Sequence, residues 1–202
     1  MSTDQLIKLI EVIIALIQAL SWPLLVLVIL MYFGNPLKKF LENASEFTFK
    51  GPGWEATVKK QQIEAAKAKV VDQAGPQGLR KLGEASILWV DDNPSNNFYE
   101  RSALEKFGVR FAISTSTEDA LEKIRVNKYD AIISDMGRPP DARAGYTLLA
   151  EKQKLGDTTP FIIYAGSNAP QHKAEARQKG AIGSTNNPQE LFELVTSALQ
   201  VA

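Results

Sequence analysis

The chain has 202 residues, with 23 Lys and Arg against 23 Asp and Glu, so it carries no net charge at neutral pH. That length accommodates one ordinary domain plus something smaller, and the charge balance, with no long basic stripe, argues against a nucleic-acid-binding protein. Cysteine is absent and His172 is the single histidine, which excludes disulfides, thiolate zinc sites and multi-histidine metal sites and leaves oxygen ligands for magnesium, manganese or calcium.

Residues 12–33 read VIIALIQALSWPLLVLVILMYF, without a charge. At 1.5 Å per residue such a helix covers about 33 Å, enough for a hydrocarbon core of about 30 Å. Residues 1–34 are therefore predicted to be a single transmembrane anchor, with Pro23 removing one backbone donor near its middle. A cleaved signal peptide would have a basic start and a shorter apolar core; here Asp4, Lys8 and Glu11 precede a run that is too long. Lys38, Lys39, Lys50, Lys59 and Lys60 follow the span, and only Lys8 precedes it. The excess of basic residues predicts a single-pass protein of the inner (cytoplasmic) membrane, with its C-terminal domain in the cytoplasm.

Residues 35–85 read as a juxtamembrane linker. PLKKFLEN suits a short interfacial helix, its lysines toward headgroups. Alternating FTF and WEATV on either side of KGPG predict a small hairpin. Residues 58–74 have strong helix propensity, with Ile63, Ala66 and Val70 at heptad-like spacing. Two turns of small residues are too little for a coiled coil, so a solvated spacer helix is expected. GPQG at 75–78 is predicted to end it, and a flexible boundary to run to Ala85.

Beyond Ser86, short apolar runs alternate with helical patterns. Strands are predicted at 87–90, 109–113, 131–133, 161–164 and 181–182, and helices at 95–107, 117–126, 146–155, 171–179 and 188–200. The first of these helices places Phe98, Ala103, Leu104 and Phe107 on one stripe, and the last places Leu191, Leu194, Val195, Ala198 and Leu199 on its packing face. Five βα units imply an α/β fold: a doubly wound, flavodoxin-like parallel sheet of order 2-1-3-4-5. Ligands of such sheets bind beyond the carboxyl ends of strands 1 and 3. Asp91 and Asp92 follow strand 1 and Asp135 follows strand 3. Three converging carboxylates repel one another unless a cation intervenes, and Mg2+ prefers carboxylate and water oxygens. As helix caps, Asp91, Asp92 and Asn93 before Pro94 account for one acid and not three.

ILWVDDNPSN, STEDALEKI and YDAIISDM resemble the response-regulator receiver domains of two-component signalling, over about residues 86–199. The resemblance implies Mg2+ on Asp91, Asp92 and Asp135, with Asp135 as phosphoacceptor from a histidine kinase: a signalling domain rather than an enzyme. It also implies pairing through the last helix and the one before it, hence a homodimer. Departures accompany it. Where receivers carry Thr or Ser after strand 4, this chain has Ala165; Ser184 stands for the aromatic switch residue, and Asn187 for the phosphate-pairing lysine. The loop MGRPPDARAG after strand 3 is long and charged, and Arg138 or Arg143 is the candidate replacement cation. An atypical receiver is thus expected, with a phosphorylation-independent docking module as one alternative. A second alternative is a resemblance to Toll/interleukin-receptor-like domains, some of which cleave NAD through a glutamate; it nominates Glu151 and Glu100.

Overall fold

The computed structural model describes residues 16, 18–21, 23 and 54–200, and the chain divides into two units, Met1–Phe49 and Lys50–Ala202. In the first unit the described residues are helical, and the Ser21 hydroxyl donates to the Gln18 carbonyl at 2.8 Å. The remainder of the predicted span, the PLKKFLEN segment and the FTF arm of the predicted hairpin lie outside the described residues. Among the described residues no helix is long and apolar enough to cross a membrane.

The second unit begins with α1, Trp54–Glu84, which corrects two expectations. The WEATV segment is helical, not an arm of a hairpin. Five alternating residues are a weak strand signal beside Lys59 to Gln62 and the helix formers that follow. Nor does GPQG open a flexible boundary. Gly75 adopts φ 59°, ψ 179°, a left-handed conformation that interrupts the helical ladder. Pro76 then starts a second helical segment, in which Leu82 is fully buried. The expected solvated spacer is a packed helix as well. Ile63, Ala66 and Val70 are all buried, at i, i+3 and i+7.

The sheet follows the predicted order, β2-β1-β3-β4-β5, all parallel. Its strands are β1 (Ser86–Val90), β2 (Arg110–Ser114), β3 (Ala131–Ser134), β4 (Phe161–Tyr164) and β5 (Gly183–Thr185). The last lies two residues beyond its predicted place, because Ala181-Ile182 supplied the apolar cue while Gly-Ser-Thr forms the edge strand. After β1 a 3-10 turn, Pro94–Asn97, leads into α2 (Phe98–Glu105). The remaining helices are α3 (Thr117–Val126), α4 (Ala144–Lys154), α5 (Pro170–Gln178) and α6 (Pro188–Ala198).

Alternate strand residues feed two cores, as a period of two requires. Ile87, Trp89, Ala131, Ile133, Ile162 and Tyr164 face α1, α2 and α6, where Leu104, Leu191, Phe192 and Val195 are buried. Leu88, Val90, Ile132, Phe161 and Ile163 face α3, α4 and α5 around Ala120, Ile124, Leu148, Leu149 and Ala176. Phe98 departs from its predicted inward stripe and is 58% exposed, because the 3-10 turn rotates the start of α2. Helix α1 lies against α6, where Lys69 pairs with Glu193 at 2.6 Å.

Candidate functional site: an acidic pocket at the strand ends

Parallel pairing of Val90 with Ser134 puts the residues after β1 and β3 side by side. The Asp135 N–H donates to the Val90 carbonyl at 2.9 Å, and the Asp91 N–H to the Ser114 carbonyl at 2.9 Å. Asp91, Asp92 and Asp135 then line one cavity of about 270 Å³ with Lys59, Asn96, Asn97, Tyr164, Ala165, Gly166 and Asn186. Convergence of the three acids, expected from strand order alone, is what the fold produces.

Each acid is held differently. Asp91 is 5% exposed and accepts from the Asn93 N–H at 2.7 Å and from the Asn97 side-chain amide. Burial pushes its carboxyl above the usual range, helped by repulsion from Asp92 and opposed by those donors. Asp135 is also raised, by burial first and then by Asp91 and Asp92, against the Met136 N–H and Arg138. Asp92 is exposed. None of the three forms a salt bridge among the described residues. Nor do any three His, Cys, Asp or Glu side chains there stand close enough to form a ready-made metal cluster. The donor set still fits a hard cation: oxygen ligands only, with Asp91 buried and Asp135 partly so, and negative charge in excess.

Gly145 at the start of α4 fixes the loop after Asp135. Its N–H donates to the Met136 carbonyl at 2.9 Å, and a Cβ there would lie 2.7 Å from the Asp135 carbonyl oxygen. Arg138 from the same loop is tucked beneath the site and is 4% exposed. Its guanidinium donates to the Ser134 hydroxyl and the Asp135 carbonyl, both at 2.8 Å, and to the Thr117 hydroxyl at 3.0 Å, while Nε is buried without a partner. Of the two candidate cations in that loop, Arg138 thus lies beside Asp135. Arg143 pairs instead with Glu175 and stacks over Tyr146.

The departures from the receiver pattern have structural consequences. Ala165 and Ser184 border a neighbouring cavity of about 370 Å³, with Met136, Arg143, Tyr146 and His172 around it. Small residues leave space there that a threonine and an aromatic would fill. Asn187 does not enter the acidic pocket; its side-chain oxygen accepts from the Gln189 and Glu190 N–H groups and caps α6.

Glu100 corrects an expectation. It is fully buried, and its Oε1 accepts from the Tyr164 hydroxyl and from Lys59, each at 2.7 Å, while Oε2 is buried without a partner. Burial and the carboxylate hold the Tyr164 phenol protonated, far above its usual range. Glu151 lies on α4, pairs with Lys154 and is absent from the cavity lining. Neither of the two glutamates nominated as alternatives for NAD cleavage lines the acidic cavity. Lys59 and the burial of Glu100 were missed by sequence reasoning. Lys59 sits outside the α/β pattern, and Glu100 becomes intelligible only with Tyr164, 64 positions away.

Residues 87–198 match the model of the response regulator receiver domain family. The chain belongs to that family. It is 26% identical over 120 residues to the transcriptional regulatory protein ZraR of Salmonella typhimurium, a match covering 59% of this chain and 26% of that protein. The chain thus spans about a quarter of the length of the curated relatives it matches. Among solved structures, a putative response regulator from Chloroflexus aurantiacus superposes with a TM-score of 0.51 at 27% identity, over 57% of this chain and 98% of that one. The Francisella response regulator 1452 receiver domain superposes with a TM-score of 0.52 at 23% identity, over 58% of this chain and 98% of that one, a likeness of fold. The family match favours the receiver reading, and the Toll/interleukin-receptor-like alternative is not favoured.

Proposed function

We propose that the chain is a signalling receiver in which Asp135 accepts a phosphoryl group from a histidine kinase, with a divalent cation, Mg2+ by preference, on Asp91, Asp92 and Asp135. The observation that supports this reading is the meeting of three carboxylates at the ends of β1 and β3, none in a salt bridge among the described residues, with Asp91 and Asp135 both raised. A bound cation would offset the charge of the phosphoryl oxygens and orient the acceptor carboxylate.

In the transfer itself, an Asp135 carboxylate oxygen forms a bond to phosphorus while the phosphorus–nitrogen bond of the donor phosphohistidine breaks. The imidazole leaves with the bonding pair and takes its proton from solvent. Arg138, fixed against the Asp135 carbonyl, supplies positive charge beneath the acceptor. Asn97 and the Asn93 N–H hold Asp91 in place. Residues 12–33 would tether this domain to the inner membrane, the reading favoured by their length and lack of charge.

Acetyl phosphate with millimolar Mg2+ is the direct test. Mass spectrometry should show one added phosphoryl group on wild type and none on Asp135→Asn. A wild-type chain that takes neither phosphoryl nor beryllofluoride under those conditions would refute the phosphoacceptor and leave a phosphorylation-independent docking module. That second reading has its own support in Ala165, Ser184 and Asn187, which cannot make the contacts of the residues they replace. Membrane tethering is tested separately, by fractionating cells that express the chain with and without residues 12–33.

A further inference from the structure

We propose that Lys59, on a helix outside the family-matched segment, is the phosphoryl-facing cation of the acidic pocket, entering from the α1 side where Asn187 has left the β5 side without one. This rests on Asp135 being the acceptor, and it adds a residue that no receiver pattern supplies.

Three observations carry it. Lys59 lines the same cavity as Asp91, Asp92 and Asp135, and among the residues lining that cavity it is the one cation. Its ammonium is held rather than waving in solvent: Nζ donates to Glu100 Oε1 at 2.7 Å and to the Asn96 carbonyl at 2.8 Å. An ammonium has three N–H bonds, so one remains, on a side chain still 29% exposed. The place where the family carries its lysine is meanwhile closed to that role, because the Asn187 side chain is committed to the first turn of α6. Arg138 does not substitute: it is 4% exposed beneath the site and does not line the cavity, its terminal nitrogens donating to Ser134, the Asp135 carbonyl and Thr117.

Glu100 is then the positioning residue. A fully buried carboxylate holding Lys59 and Tyr164 through one oxygen fixes the ammonium at the pocket wall. An anion on Asp135 draws on the free N–H of Lys59, and through it on α1, which leads back toward the N-terminal segment. Site occupancy and the docking of α1 are therefore coupled, and by linkage each strengthens the other.

The experiment uses the full chain, titrated calorimetrically with Mg2+ alone and with beryllofluoride plus Mg2+. In Lys59→Met, affinity for beryllofluoride should fall at least tenfold. Affinity for Mg2+ alone should hold or rise two- to threefold, since a neighbouring positive charge is gone. Lys59→Arg should keep most of the beryllofluoride affinity, and Glu100→Gln should lose an intermediate part of it while keeping the lysine. A Lys59→Met chain that is less stable but binds beryllofluoride like wild type would overturn the inference and leave Lys59 a mere strut between α1 and α2. Equal losses for Mg2+ alone and for the analogue in Lys59→Met would overturn it too, since they would report a distorted pocket. If wild type and Asp135→Asn behave alike toward the analogue, the acceptor reading itself fails and the role of Lys59 falls with it.

Discussion

Where β1 and β3 end, three carboxylates share a cavity with no ion-pair partner among the described residues; at the opposite end of the sheet, one acid has such a partner and another is held by a backbone donor. Asp157, ahead of β4, lies against Lys152, whose Nζ is 3.2 Å from its Oδ1 and 2.7 Å from its backbone carbonyl. Asp130, ahead of β3, accepts from the Ser86 N–H at 2.8 Å. Burial would raise the Asp157 carboxyl, but donors from Thr159 and Lys152 outweigh it and hold the group low. At the pocket the balance goes the other way, and Asp91 and Asp135 are held high. Satisfied acids hold the fold together, whereas acids buried beside one another, raised by burial first and by repulsion second, mark a place where the fold stores cost for a ligand to relieve.

The contrast is broken most directly at the paired end. Asp157→Ala leaves the Lys152 ammonium, on a side chain only 3% exposed, with a single backbone acceptor. Breaking such a buried pair costs about 3 kcal/mol, so the urea midpoint should fall well below that of wild type. An unchanged midpoint would show that the two ends do not differ as described.

Asp135→Asn should have the opposite sign. It removes a charge that folding buries among like charges, so the metal-free variant should melt a few degrees above wild type, at about 2–4 °C for each kcal/mol in a chain of this size. Mg2+ at ten times its dissociation constant should then stabilise wild type by about 1.4 kcal/mol and close the gap. A variant less stable than wild type without metal would mean that Asp135 is held by donors rather than strained by its neighbours.

Acidity sharpens the same comparison. The Asp157 carboxyl is depressed on folding, so its stabilisation is complete above the ordinary carboxylate range and fades as pH falls through the folded value. The Asp135 carboxyl is raised, so its contribution is complete below the ordinary range and is lost as pH rises through the folded value. Urea midpoints across a pH series should therefore show the wild-type advantage over Asp157→Ala shrinking toward acid. The Asp135→Asn advantage over wild type should grow toward neutrality.

Much of this was legible in the sequence, for a physical reason. Buried parallel strands write themselves as short apolar runs, so Leu88, Ile132 and Ile163 announced the sheet. Handedness and strand order then brought Asp91 and Asp135 together without any structure. Contacts that local pattern does not encode were hidden. The stripe of α1, Ile63, Ala66 and Val70, is too small to declare itself, and it is buried in a core with Leu191 and Val195, more than 120 positions away. Lys59 read as one of several lysines marking the cytoplasmic side, and its place in the pocket depends on that docking. Arg138 was nominated with Arg143, and only the fold separates the buried guanidinium from the exposed one.

The smallest effect concerns Asn187, and it separates loss of a relay residue from gain of a cap. If the position were merely vacant, Asn187→Lys would restore a receiver lysine at no structural cost. In the fold, however, Asn187 Oδ1 accepts from the N–H groups of Gln189 and Glu190 at the start of α6, and Pro188 occupies the first turn. A lysine cannot accept those bonds, so the variant should lose about 1 kcal/mol, the usual worth of an asparagine cap. The added ammonium also lies near the positive end of the helix dipole, which disfavours it further. The expected result is a lower melting temperature without the analogue, alongside tighter beryllofluoride binding if the new ammonium reaches the pocket. Asn187→Asp keeps the acceptor and should melt like wild type. Should Asn187→Lys instead match wild type in stability, the side chain does not hold α6, and the absence of the lysine would have to be explained from the pocket alone.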